Sequence, residues 1–232
     1  MNVPMSDNNM PKADACRSDG FLSERISDKA EHVFARSSSA QLTTDNEITC
    51  LLDSRENFPA WLSAMEQAKY TICIEMYIFA TDEFGQKVRS VLLDRLQQGV
   101  QVFLIYDWVG SSGAHFKRFF KPLIAAGAQV QAYNKLGLTT GLSFLGRNHR
   151  NSFTIDQKVA FVSGLCISSQ WGGNEKHGIS PWRDTGLMLQ GSIVQDVLNA
   201  FLVSWQAMGL TKPEVLLQAV PSDAATAVDD YA

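Results

Sequence analysis

Between residues 47 and 208 the spacing of apolar positions changes repeatedly, and each change marks an element. Ile48 to Leu52 reads as a strand, after which Phe58, Trp61, Leu62 and Met65 recur at helical spacing. A second strand is predicted over Tyr70 to Ala80, apolar throughout except for Glu75. Phe84, Val88, Val91, Leu92 and Leu96 then stripe a helix that Gly99 closes, where a left-handed cap costs glycine little. Val100 to Tyr106 is again a strand. The loop DWVGSSG, Asp107 to Gly113, leads to a helix striped by Phe116, Phe119, Phe120 and Leu123 and ended by Gly127, and Val130 to Tyr133 follows as a strand.

The stretch GRNHRNSFTIDQKVAFVSG, residues 146–164, reads as two short strands joined by a tight turn with Asp156 at the turn. Alternation puts Phe153 and Ile155 on one face with His149 and Asn151, and Ser152 and Thr154 on the other. Val159 to Val162 is continuously apolar, as in a strand covered on both faces. Arg183 to Leu189 is a further strand, and Ile193, Val194, Val197, Leu198, Phe201, Leu202 and Trp205 stripe the last helix. The β-α-β-α-β alternation predicts an α/β fold, a mixed and largely parallel sheet flanked by helices, built as one unit without internal repeat. Residues 1–45, polar with a weak helical pattern in Leu22, Ile26 and Val33, read as a mobile N-terminal arm. Residues 46–209 read as the domain, and 210–232, with Pro213, Pro221 and Ala/Asp-rich text, as a C-terminal tail.

Composition fits this picture and narrows the function. With 45% hydrophobic and 19% charged residues, the 232-residue chain can bury one sizeable core. A net charge of −4 does not supply the broad positive field of a non-specific nucleic-acid binder, so no nucleic-acid partner is expected beyond what a local basic groove could hold. Cys16, Cys50, Cys73 and Cys166 are scattered with no C-x-x-C pair, which indicates reduced thiols rather than a disulfide framework or a metal site. Asp7, Asp14 and Asp19 near the start are unlike a secretory signal. No apolar run approaches the roughly 18 residues of a membrane span. A cytoplasmic protein with at most peripheral membrane contact is expected.

Few residues stand out chemically. Glu75 inside an apolar strand needs a partner or a shifted pKa, so both structural pairing and active-site duty are open to it. GSSG after a strand could cradle a phosphate or simply connect. His32, His115 and His177 read as solvated or loop histidines. His149 differs: Arg147 and Arg150 flank it and Asp156 follows seven residues on, a local arrangement suited to phosphate. Neither a Ser-His-Asp order nor H-E-x-x-H spacing is present.

RNHRNSFTID followed by VAFVSG and, later, PWRDT resembles the phospholipase D superfamily, and RNHR with WRDT looks most like its bacterial cardiolipin synthases. The family signature is H-x-K, four residues, then D, followed by a small-residue pair and an Asn. His149 and Asp156 match it in type and spacing, and Ser163-Gly164 matches the small pair. The resemblance implies a phospholipase D-like sandwich and a two-step phosphodiester exchange through a phosphohistidine. One histidine attacks phosphorus, and a second, from a second copy of the motif, protonates the leaving alcohol. Neither metal nor other cofactor is implied. His149 would be one of the two histidines, Asp156 would orient the motif, and Glu75 would be a hydrogen-bonding partner in the pocket. Asn151, Ser163 and Cys166 fall on phosphate-binding positions.

Two of these positions depart from the family. Its lysine falls on Asn151 and its trailing asparagine on Cys166. Asn brings a donor without charge, and Cys is a poor donor. Losing one preorganised donor to a developing anion typically costs about 2.7–4 kcal/mol, so this half-site is expected to be weak. The chain also holds one unit where cardiolipin synthases carry two. A homodimer or a second phospholipase D-like half would complete the pocket around a phospholipid substrate. The expectation is a phosphatidyltransferase half of cardiolipin synthase type, cytoplasmic and peripheral at the inner membrane. The alternatives are a non-catalytic domain of the same fold that binds lipid or a partner, and a phospholipase D-like nuclease, which the acidic balance disfavours.

Overall fold

The computed structural model describes residues 29–37, 42–135, 146–173 and 177–218. The chain divides into two compact units, Met1–Thr43 and Thr44–Ala232. Of the first, the described part is chiefly a helix, α1, over 29–37, which contains Val33, whereas Leu22 and Ile26 lie outside the described residues.

The second unit runs β1 (Glu47–Leu52), α2 (Asp53–Gln67), β2 (Thr71–Met76), α3 (Glu83–Gln97), β3 (Gln101–Asp107), α4 (Ser112–Phe116), α5 (Lys121–Ala125), β4 (Gln129–Tyr133), β5 (Ser152–Ile155), β6 (Val159–Val162), β7 (Thr185–Gln190) and α6 (Ile193–Ala207). The seven strands form one sheet in the order β1-β7-β6-β5-β2-β3-β4. It is mixed, but the expectation of a largely parallel sheet needs correction. Only β2–β3 and β3–β4 pair in parallel, while β1–β7, β7–β6, β6–β5 and β5–β2 are antiparallel. The physical reason is connection length. Parallel neighbours need a crossover, which α3 and the α4–α5 segment supply, whereas β5 and β6 are joined by a tight turn that can only reverse the chain.

Alternation along the strands sends residues to two cores. Ile72, Ile74, Val102, Leu104, Phe153, Ile155 and Phe161 pack with the helices α2 and α3, where Trp61 meets Phe153 edge-on at 5.2 Å. Cys73, Phe103 and Ile105 face the other way, onto Phe201, Leu202 and Trp205 of α6. Phe103 and Trp205 make an edge-to-face pair at 5.9 Å. Burial pushes the Cys73 thiol up to about 12, so it behaves as a small apolar group with one polar contact, to Thr154.

Three elements end differently from the sequence expectation. The predicted strand Tyr70 to Ala80 is regular only to Met76, because the Tyr77 amide donates to Asn151 Oδ1 and its carbonyl accepts from Ser111 Oγ instead of a neighbouring strand. The single helix expected from Phe116 to Leu123 is two short helices. Arg118 adopts φ 53°, and Pro122 stands in the first turn of the second helix, where its fixed φ is favourable and its missing N–H is not needed. Phe116 consequently leaves the core stripe and is 70% exposed. The segment read as the start of a tail is packed: the Trp205 indole donates to Thr211 O at 3.0 Å, and Leu216 is buried in the α6 core. Residues 219–232 lie outside the described residues.

The β5–β6 turn is held from outside. Asp156 and Gln157, its central residues, both have positive φ, 51° and 55°, as a type I′ turn requires and as non-glycine residues adopt only under constraint. The constraint is visible. Asp156 accepts the amides of Lys69, Tyr70 and Thr71 at 2.7–2.8 Å, and Gln157 Nε2 donates to the carbonyls of Val215 and Gln218. Asp156→Ala removes a carboxylate shared by three amides and puts alanine in the left-handed region, and it should cost about 3–4 kcal/mol. The expected readout is a lower urea midpoint at unchanged m-value. Asp156→Asn, which tolerates that φ and keeps one acceptor oxygen, should recover part of the loss.

Candidate active site

Two buried acids on neighbouring parallel strands set the position of His149. Glu75 of β2 and Asp107 at the end of β3 are both fully buried. Glu75 pairs in register with Ile105, so Glu75 and Asp107 lie two residues apart on the same face, the one that packs on α6. Asp107 accepts the amides of Val109 and Gly110 at 2.9 Å, then receives Asn148 N at 3.0 Å and the Arg147 guanidinium at 3.3 Å. Glu75 receives Asn148 Nδ2 at 2.5 Å and Arg150 at 3.3 Å, and Arg150 also donates to Ala200 O and Ser204 Oγ of α6. The residues on both sides of His149 are thus fastened to buried carboxyl groups. This corrects the sequence expectation for Arg147 and Arg150, which turn to Asp107 and Glu75 rather than standing open for a phosphate.

His149 itself is exposed, with its ring centroid 4.1 Å from that of Tyr77 and a tilt of 36°. The residue that precedes β5 lies by construction at the carboxyl end of β2, since the two strands are antiparallel. This is the edge of an α/β sheet where ligands collect. Glu75 is near this segment and reaches it through Asn148 and Arg150. Asp156 sits at the far end of β5. Seven extended residues span on the order of 20 Å, and its carboxyl group is occupied by backbone amides. The structure therefore gives Asp156 a place in the fold, at the opposite end of β5 from His149.

Asn151, Cys166 and Ser163 do come to His149's end of the sheet. Asn151 is filled by its own surroundings: Oδ1 accepts from Tyr77 N at 3.0 Å, Nδ2 donates to Gly164 O at 3.3 Å, and the Cys166 thiol lies 3.6 Å from Oδ1. Burial pushes the Cys166 thiol up, with the nearby Asp184 charge adding to it, so the group remains a neutral donor. Ser163 Oγ accepts the Leu165 amide at 3.2 Å. The two positions that depart from the family pattern are therefore bonded to each other.

Sequence reasoning missed Tyr77 and Asp184 as members of this end of the sheet. The Asp184 carboxyl group occupies the space that a Cβ at position 164 would take, so a side chain there would require Asp184 to move. Asp184 is fixed in turn, its amide donating to Asp53 Oδ1 at 2.8 Å while Asp53 N donates back to its carbonyl. The PWRDT stretch was the available signal for Asp184, and nothing in the spacing of Tyr77 distinguished it from a strand residue. Beside this stretch Trp182 packs on Trp171 at 5.5 Å. The GSSG loop is a packed connection rather than a phosphate cradle: Ser111 Oγ accepts the Phe79 amide, and Gly110 lies against the Tyr77 carbonyl. His177 is exposed, and His115 bonds the Tyr106 hydroxyl at 2.7 Å instead of standing solvated. Among the described residues no group of three or more His, Cys, Asp or Glu side chains could hold a metal ion.

Residues 61–171 match the family described as cardiolipin synthase, PLD-like domain. The major cardiolipin synthase ClsA of Bacillus subtilis is 36% identical over 168 residues, which is 72% of this chain and 34% of that protein. A cardiolipin synthase of Geobacillus thermodenitrificans is 32% identical over 191 residues, 80% of this chain and 37% of that protein. The chain thus spans about a third of the length of these curated relatives. Among solved structures, Nuc from Salmonella typhimurium, a phospholipase D family member, superposes with a TM-score of 0.53 at 13% identity, covering 70% of this chain and 95% of that one, and shows the shared fold. A histidine placed by two buried acids at the sheet's carboxyl edge, in a domain with these relatives, identifies the chain as a member of the phospholipase D superfamily, of the cardiolipin synthase-like kind.

Proposed function

We propose that this chain is one half of a phosphatidyltransferase of cardiolipin synthase type, acting on phospholipid through a phosphohistidine. The observation that carries the reading is His149, exposed while the residues on either side of it are pinned to Asp107 and Glu75. In the first step an imidazole nitrogen of His149 attacks the phosphodiester phosphorus and the bond to the leaving alcohol breaks, the alcohol taking a proton from a second histidine. In the second step an incoming alcohol gives its proton to that second histidine and displaces His149. The second histidine comes from a partner unit, either another copy of this chain or a separate phospholipase D-like half. Fixing the imidazole in advance lowers the entropic part of the barrier, which is the contribution Glu75 and Asp107 make. The lipid is met at a membrane surface by peripheral contact on the cytoplasmic side. Among the described residues no helix is long and apolar enough to cross a membrane.

A second reading is favoured by one specific observation. Because Asn151 Oδ1 is taken by the Tyr77 amide and the Cys166 thiol, and Nδ2 gives one hydrogen to Gly164 O, these two positions bring no positive charge and fewer donors to the phosphate end of the site than the family's lysine and asparagine would. On that reading the domain binds lipid or a partner half without turnover.

The two readings separate on Asn151→Lys combined with Cys166→Asn. Assayed for phosphatidyl transfer with a complete second half supplied, the double variant should gain roughly 10²-fold or more over the native chain, and more than either single change. His149→Ala serves as the blank. A folded double variant indistinguishable from that blank would leave the non-catalytic reading in its place.

The positioning role has its own readout. Glu75→Gln keeps the shape but weakens the hold on Asn148 and Arg150. Amide exchange at 147–150 should then accelerate roughly tenfold while the α2 and β3 amides keep their protection. Unchanged exchange at 147–150 would remove Glu75 from this role.

A further inference from the structure

The 48 residues between Asp107 and Asp156 contain no Asp or Glu, in a chain whose net charge is −4. Their basic residues are Lys117, Arg118, Lys121, Lys135, Arg147 and Arg150. The last two are taken by Asp107 and Glu75, which leaves four at the α4–α5 corner. Arg118 and Lys121 border one cavity with His115. Lys135 stands close enough to His115 that its charge, second to burial, helps hold the imidazole below its usual range. Lys117 reaches Thr81 at 3.3 Å and is exposed.

Large apolar side chains are exposed among these cations. Phe116 is 70% exposed, Ile124 54% and Val109 45%. The broken helix described above is what turns Phe116 outward, at the cost of a positive φ at Arg118. Between them lies a cavity of about 230 Å³, lined by Tyr106, Phe120 and Ile124 together with His115, Arg118 and Lys121. Val109 is two residues from Asp107, whose carboxyl group holds Arg147 and Asn148 beside His149, so the corner and the candidate site share one edge of the sheet.

We infer that the α4–α5 corner is the surface by which this domain docks on an anionic phospholipid bilayer, with Phe116, Val109 and Ile124 entering the headgroup region and Lys117, Arg118, Lys121 and Lys135 pairing with lipid phosphates. Charge complementarity selects the partner: a local cationic face on an acidic protein is drawn to an anionic surface and not to a neutral one. The exposed aliphatic groups separate a bilayer from a nucleic acid, on which Val109 and Ile124 have nothing to stack. The inference deepens the lipid-substrate reading by naming the membrane-facing side, and it is tested without turnover.

The test is co-sedimentation of the full chain with phosphatidylglycerol/phosphatidylcholine vesicles against phosphatidylcholine vesicles alone, at rising salt. Binding should require the anionic lipid and weaken as salt rises. Lys117→Gln with Arg118→Gln and Lys121→Gln should lower the partition coefficient roughly 100-fold, and Phe116→Ser roughly tenfold. Circular dichroism should stay native in both. Transfer activity, where the native chain has it, should persist in the Phe116→Ser variant on detergent-dispersed lipid, which keeps failure of docking distinct from failure of catalysis. Three results overturn the inference: no sedimentation with the anionic vesicles, or sedimentation that ignores both variants; a self-associated dimer that Phe116→Ser dissolves; or capture of a single-stranded oligonucleotide that depends on the three cations but not on Phe116.

Discussion

Moving a carboxyl group from water into a protein interior costs several kcal/mol unless donors replace the water, and this domain does it twice on adjacent strands. The replacement donors for Glu75 and Asp107 come from the stretch that carries His149, together with the turn after β3. Burial of the acids and placement of the histidine are therefore a single event. If the 146–151 stretch leaves its place, both carboxyl groups lose partners at once. Arg150 extends the dependence to the opposite core by donating to Ala200 and Ser204, so α6 is tied to the same segment through its backbone and a hydroxyl.

The pair Asn151 and Cys166 shows how a site can change its chemistry and keep its packing. A lone Asn in place of lysine would leave an amide to be satisfied at a half-buried position, and a lone Cys in place of asparagine would leave a thiol facing it. Together they bond each other, and Tyr77 N and Gly164 O add a donor to the amide oxygen and an acceptor for one of its hydrogens. The result is a bonded local network with no formal positive charge on either side chain. The separation between structural completeness and phosphate-binding capacity is sharp at these two residues.

Periodicity disclosed most of the elements because each strand and helix buries a regular face, and Gly99 indeed ends α3 with φ 88°. It went astray where side chains of distant residues replace the regular backbone pairing. Nothing near Tyr77 in sequence reports that Asn151 and Ser111 will take its amide and carbonyl, and nothing near Leu216 reports that the Trp205 core will cover it. Strand direction was misjudged for a related reason: alternation shows that β7 is half-covered, but its antiparallel partner β1 lies about 138 residues away. At the candidate site, residue type and spacing singled out His149, while the roles of Asp156 and the two arginines needed three dimensions. A carboxyl group in a short motif reads as chemistry, yet Asp156 spends itself on three amides, those of Lys69 and Tyr70 before β2 and of Thr71 at its start.

The pairing of β1 with β7 has a consequence for how the chain is made. β1 lies at one edge of the sheet and finds its partner only in residues 185–190. During synthesis β1 leaves the ribosome long before that partner exists, with its backbone groups unpaired and Ile48 and Leu52 beside them. Loop closure over such a span is slow, and an unpaired strand is a template for association with other chains. The parallel core β2–β3–β4 can assemble earlier from near neighbours, while the edge carrying β1 closes last. Until residues 185–190 have been made and have left the ribosome, the β1 edge of this sheet lacks its β7 partner.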